Sequence, residues 1–211
     1  MSAAGTNLEP WEIPFESGHL PGYVTAELHR ASTLFVVVGG GDTYRQDLWF
    51  FGGGAALARG YAVLLADLPG QGKTPYDALH FGPKTVEAFD VAIRSVRARG
   101  FSGKVVLCGW SGGGLFTAKY VELYGGIDAW IASSPVEDMV RLIETAMPAL
   151  LRRNPSGLIQ QTMLYLAGRM NPVLGASLRK YNWQFGPGGI AGAVDQFRSV
   201  GRVDLGRLTL D

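Results

Sequence analysis

Lys104-Val105-Val106-Leu107-Cys108-Gly109-Trp110-Ser111-Gly112-Gly113-Gly114-Leu115-Phe116-Thr117-Ala118-Lys119-Tyr120 decides the fold of this chain. A short β-branched run reads as a strand buried on both faces. The stretch from Gly112 to Tyr124 reads as a helix, stopped by Gly125-Gly126. Between them, Gly109-Trp110-Ser111-Gly112-Gly113 matches Gly-x-Ser-x-Gly in the strand–turn–helix context that gives this pattern its meaning. A serine on so sharp a turn is held in a strained backbone conformation. Side chains two residues before and after it would collide, so glycine is needed at 109 and 113. The turn lifts the Ser111 hydroxyl above the strand ends. It also aims the Gly112 N–H at the place where an oxyanion would develop. The plainer alternative is a glycine-rich turn with an incidental serine.

Working outward, residues 33–38 (TLFVVV) and 61–66 (YAVLLA) read as two earlier buried strands, and 128–133 (DAWIAS) as a fourth. Residues 22–30 suit an edge strand, and the first twenty residues read as a polar lead-in. A helix is expected from about Tyr44 to Arg59, weakened by Gly52-Gly53-Gly54 and ended by Gly60. Val86, Phe89, Ile93 and Val96 mark one face of another. Strand and helix alternate, which predicts an α/β fold with a mostly parallel sheet flanked by helices. Gly39-Gly40-Gly41-Asp42 follows the first of these strands, where backbone without Cβ can approach a substrate carbonyl. The N–H of Gly41 or of Asp42 is the candidate second oxyanion donor. A plain turn or a phosphate cradle are the alternatives. The dinucleotide spacing fails because position 44 is Tyr, and no P-loop lysine follows.

After Ser134-Pro135 the pattern changes. Residues 136–200 show no strand pattern and read as a helical insertion. One helix is marked by Val136, Met139, Ile143, Met147 and Leu150, with Pro148 able to kink its end; others are expected near 157–168 and 189–200. Four of the five methionines lie here, with Tyr165, Tyr181, Trp183, Phe185 and Phe197. This set reads as core packing, or as a pocket wall for a bulky apolar or aromatic substrate. Residues 139–203 carry eight basic and two acidic residues, an excess that would draw an anionic one.

Composition narrows the classes. Across 211 residues, 19 Lys and Arg against 18 Asp and Glu leave a net charge of +1, without the basic footprint of a nucleic-acid binder. One cysteine, Cys108, excludes an internal disulfide framework and a cysteine-based zinc site; it reads as a small apolar core residue. No apolar run is long enough to span a bilayer, and the N-terminus shows no signal-peptide h-region. A cytoplasmic protein is expected, with no metal or organic cofactor, no nucleic-acid or membrane partner, and oligomerisation left open. The 30 glycines are about twice the usual share, and the turns above use many of them.

Gly39-Gly40-Gly41-Asp42, Asp67-Leu68-Pro69-Gly70-Gln71-Gly72 and Gly109-Trp110-Ser111-Gly112-Gly113 together resemble the α/β-hydrolase superfamily in order and spacing. More narrowly, VVVGGGDTYRQD, ADLPGQGKTP and IASSPVED look like its FrsA-like and dihydroxypseudooxynicotine-hydrolase branch. The resemblance implies a core over 1–135, a helical cap over 136–200 and a return to the core over 201–211. It also implies hydrolysis of an ester, acyl or activated C–C bond of a small molecule through Ser111. In that family the acid and histidine follow the serine in the chain. His19, His29 and His80 all precede Ser111 here, and the strands that would carry the acid and histidine are not found. Asp138, after the fourth strand, and His80, on the loop after Asp67, are the substitute acid and base to weigh. Against them stand a helix-terminal charge for Asp138 and a solvated loop position for His80. Three readings stay open: a serine hydrolase that is incomplete or weakly active, a hydrolase fold used only to bind a ligand, and a truncated product without function. A nucleotide-binding α/β domain is a remote fourth.

Overall fold

The computed structural model describes residues 7–146 and 158–208. The alternating pattern builds one six-stranded sheet: β1 (Leu8–Phe15), β2 (Gly18–Thr25), β3 (Thr33–Val38), β4 (Ala62–Ala66), β5 (Lys104–Trp110) and β6 (Ala129–Ser133). Their order in space is β1-β2-β4-β3-β5-β6. The β1–β2 and β2–β4 pairs are antiparallel and the rest parallel. β3 shows why its sequence is apolar throughout. Leu34, Val36 and Val38 enter the larger core on one face, while Val37, with Phe35 packed beside it, belongs to a smaller core on the other.

The larger core receives α2 (Lys84–Ala98) and α3 (Gly112–Tyr124). Val86, Phe89, Ile93 and Val96 are all buried there, as their spacing predicts. The smaller core is covered by the short α1 (Gly53–Leu57) and the 3-10 turn Asp47–Trp49. These two pieces replace the single helix expected over 44–59. Gly52, with φ +127°, breaks the chain between them.

The N-terminal segment corrects the polar lead-in. β1 and β2 form a hairpin whose Ile13, Phe15 and Leu20 reach the core. Pro10 and Pro14 are accommodated because β1 is an edge strand, whose outer side needs no ladder donors. Residues 22–30 are therefore not an edge: β2 lies between β1 and β4 and ends at Thr25. β6, expected to be buried, pairs only with β5 among the described residues, and Ile131 is 48% exposed.

Four further helices follow among the described residues: α4 (Met139–Ala146), α5 (Leu158–Met170), α6 (Pro172–Phe185) and α7 (Gly189–Val200). Met147, Pro148 and Leu150, read as the end of the first, lie outside the described residues. α6 is the helix the periodicity misses. Asn171 starts it, its side chain accepting from the N–H groups of Val173 and Leu174, with Pro172 in the first turn. Phe185, Ala193, Phe197 and Val200 join the larger core, where Phe197 packs on Phe116.

Candidate active site

Ser111 stands between β5 and α3 with φ +52° and ψ −120°, a conformation that non-glycine residues rarely adopt. Its side chain is exposed. Its N–H donates to the Ser133 carbonyl at 2.9 Å, and its carbonyl accepts from the Gly114 N–H at 2.9 Å. The flanking glycines are required by contact. A Cβ on Gly113 would lie 2.5 Å from the Val38 carbonyl oxygen, and one on Gly109 would lie 2.7 Å from the Gly113 oxygen. A first-turn amide such as that of Gly112 has no acceptor within its own helix and is free for a ligand.

The residue of the Gly39–Asp42 loop that touches the serine is Gly40. A Cβ there would meet Ser111 Oγ at 3.3 Å and the Gly112 nitrogen at 3.2 Å. Gln71, only 2% exposed, fixes how this loop faces. Its Nε2 donates to the carbonyls of Gly39 at 3.0 Å and Gly40 at 2.9 Å, while its Oε1 accepts from the Leu68 N–H. With the peptides of this loop trans, the N–H groups of Gly40 and Gly41 point away from Gln71. Asp67, fully buried, anchors the next residues. It accepts from the Arg45 N–H at 2.7 Å and pairs with the Arg45 guanidinium. Burial pushes the Asp67 carboxyl above its ordinary pKa, and Arg45 opposes that shift.

Asp42 carries a largely exposed side chain paired with Lys180 of α6. Burial lowers the pKa of Lys180 below that of a free lysine. Tyr181 of the same helix lies 3.9 Å from where a Gly41 Cβ would be, and Met139 Cε lies 3.5 Å from the corresponding point on Gly112. Two members of the methionine and aromatic set thus border glycines of the elbow and of the neighbouring loop. Phe185 and Phe197 are core, and Tyr165, Met163 and Met170 are exposed. Burial raises the Cys108 thiol pKa, in keeping with a small core residue.

The substitute acid and base are not brought together. Asp138 accepts from the Arg141 N–H at 2.9 Å at the start of α4, the helix-terminal role. His80 is half-buried against Gly186, with its Nδ1 buried and unbonded. Among the described residues, neither bonds Ser111. Sequence reasoning missed Gln71, Asp67, Arg45 and Gln184. The first two lie inside the Asp67–Gly72 motif, whose turn signalled them, whereas no local pattern marks Arg45 or Gln184. No cluster of potential metal ligands occurs among the described residues, and no helix there is long and apolar enough to cross a membrane.

This arrangement is that of an α/β hydrolase, and the chain belongs to the Alpha/beta hydrolase family, whose model matches residues 34–207. Hydrolase acrC of Aspergillus aculeatus is 31% identical over 149 residues, covering 64% of this chain and 34% of that protein. Hydrolase LUC6 of Fusarium sp is 46% identical over 67 residues, covering 29% of this chain and 16% of that protein. The chain thus spans about a third or less of the curated relatives' length. Among solved structures, AbyA5 superposes with a TM-score of 0.67 at 13% identity, over 98% of this chain and 55% of its own. The 2,6-dihydroxy-pseudo-oxynicotine hydrolase, which the motifs resemble, shares the fold with a TM-score of 0.54 at 20% identity, over 65% of this chain and 40% of its own.

Proposed function

We propose that this chain carries the nucleophile and oxyanion site of a serine hydrolase, with Ser111 as the nucleophile. The observation that supports it most is the strained, exposed Ser111 lying between the Gly112 amide and Gly40. In the reaction, Ser111 Oγ bonds to the substrate's carbonyl carbon, and the oxygen that becomes negative takes hydrogen bonds from Gly112 and from Gly41 or Asp42. The leaving group departs with a proton, and water then releases the acyl group from Oγ. Residues 136–200 act as a cap over the 1–135 core, and Met139 and Tyr181 give the acyl side an apolar, aromatic wall. Ester, acyl and activated C–C substrates all satisfy this scheme.

A serine hydroxyl needs a base to become strongly nucleophilic. No described histidine or carboxylate bonds Ser111, so turnover by this chain is expected to be slow, carried by the oxyanion donors and binding alone. The test is a fluorophosphonate probe, in which an Oγ–P bond forms while fluoride and the serine proton leave. Slow labelling that is lost in Ser111→Ala supports the proposal, and brisk Ser111-dependent labelling would show that a base reaches the serine after all. Equal labelling of both forms, or none of either, overturns it. A ligand-binding reading is equally consistent with no described base bonding Ser111, and it gains if a small ester binds Ser111→Ala unchanged and neither form turns it over.

A further inference from the structure

Helix α6 meets the oxyanion loop along one face. Lys180, Tyr181 and Gln184, within four residues of each other on the helix, all reach Gly41 or Asp42. Gln184 is the deepest of them. It is fully buried, and its Nε2 donates to the Gly41 carbonyl at 2.6 Å. That carbonyl can only accept, so the amide is oriented with nitrogen toward the loop. Its Oε1 is left buried with no partner among the described residues. A buried amide half-satisfied in this way costs stability, which a purely apolar side chain would avoid.

Gln71 holds the carbonyls of Gly39 and Gly40 from the core, and Gln184 holds that of Gly41 from the helical segment. Each carbonyl belongs to the same trans peptide as the next residue's N–H. Holding the Gly41 carbonyl therefore sets the direction of the Asp42 N–H, as Gln71 sets those of Gly40 and Gly41. Resting on the reading of Ser111 as nucleophile, we propose that Gln184 is a positioning residue through which helix α6 sets the oxyanion donors beside Ser111. Core and cap each hold part of the loop, so displacement of α6 would change the reactivity of the serine without touching it.

Fluorophosphonate labelling of the full chain tests this, read as limiting rate and probe affinity separately. Gln184→Met keeps the shape and removes the donor. It is expected to lower the limiting rate about tenfold, a fraction of the loss on deleting an oxyanion donor outright, with probe affinity unchanged. Gln184→Glu should match Gln184→Met at high pH and recover toward the parent rate as pH falls, because a protonated carboxyl can again donate to Gly41. Asn171→Ala, which uncaps α6 far from the loop, should lower Tm and leave the limiting rate within about twofold. Backbone ¹⁵N order parameters of Gly41 and Asp42 should fall from about 0.85 to below about 0.6 in Gln184→Met. Parental labelling and parental order parameters in a folded Gln184→Met overturn the proposal. So does an Asn171→Ala variant slowed as much as Gln184→Met, since that would make helix integrity the cause. If the parent chain is not labelled at Ser111, the nucleophile reading fails, and the order parameters alone decide the clamp.

Discussion

The elbow around Ser111 and the α5–α6 hairpin both rely on glycines pressed against backbone, yet they use the space differently. At the elbow, Gly109 and Gly113 let β3, β5 and α3 crowd beneath one exposed hydroxyl, Gly114 admits Pro135, and the glycines themselves are buried. In the hairpin, a Gly168 Cβ would lie 3.2 Å from the Gly175 Cα, so two helices touch there. Around that contact Tyr165, Leu166, Met170 and Val173 stay more than half exposed. A cavity of about 640 Å³ opens beside it, bordered by Tyr165, Arg169 and Arg179 and away from Ser111. Close approach in the first region serves a rigid site; in the second it joins two helices that share little other burial. The elbow should therefore tolerate substitution far less than the hairpin.

The largest effect is expected at Gly113→Ala. Its methyl would face the carbonyls of Val38, at the end of β3, and of Gly39 just after it, which as buried backbone cannot move aside cheaply. A loss of about 3 kcal/mol is expected, toward the upper end for overpacking, and chemical denaturation measures it. Arg45→Met should cost about 3 kcal/mol at neutral pH by stranding the buried Asp67 charge. The pH dependence has a definite sign. Asp67 has a folded pKa raised above 3.8, so the folded state holds its proton more tightly than the unfolded chain. Its contribution to stability therefore declines as pH rises from 3.8 through the folded pKa. Without Arg45 the folded pKa climbs further and the decline extends to higher pH. Stability measured between pH 4 and 7 should show a wider gap between variant and parent at pH 7, and a constant gap would contradict the pairing.

Gly175→Ala tests the other region. Its Cβ would lie well inside contact distance of the Gly168 carbonyl oxygen, so α5 and α6 must part to admit it, which two helices with half-exposed neighbours do more cheaply than the packed backbone of the elbow. About 1 kcal/mol is expected, with Ser111 labelling unchanged. A loss as large as that of Gly113→Ala would erase the contrast. The smallest effect should be a gain: Ser111→Gly removes the side chain from a φ of +52° and should stabilise the fold by about 1 kcal/mol while abolishing labelling. Unaltered or lower stability would show that the elbow is not strained.

The parts legible in the sequence were those in which one local pattern has one physical solution. Buried β-branched runs became β3, β4 and β5, the apolar face at Val86–Val96 became α2, and the glycine–serine turn became an elbow between strand and helix. The β1–β2 hairpin was harder to read, because three prolines obscure its alternation and only the edge position of β1 makes two of them tolerable. α6 was missed because its apolar face is narrow, although the Asn171-Pro172 start was there to be read.

Taken by itself, then, the sequence determined the alternation of β3, β4 and β5 with the helices that cover them, the turn that presents Ser111 and the family to which the chain belongs. Those features depend on neighbours in the chain, where steric fit and hydrophobic period act over a few residues. Only the tertiary structure decided which side chains hold the oxyanion loop. Gln71 reaches back 31 and 32 residues to Gly40 and Gly39, Arg45 pairs with Asp67 across 22, and Gln184 meets Gly41 across 143. A polar side chain carries no mark of a partner that distant, and it acquires one only when packing brings a buried carbonyl within its reach.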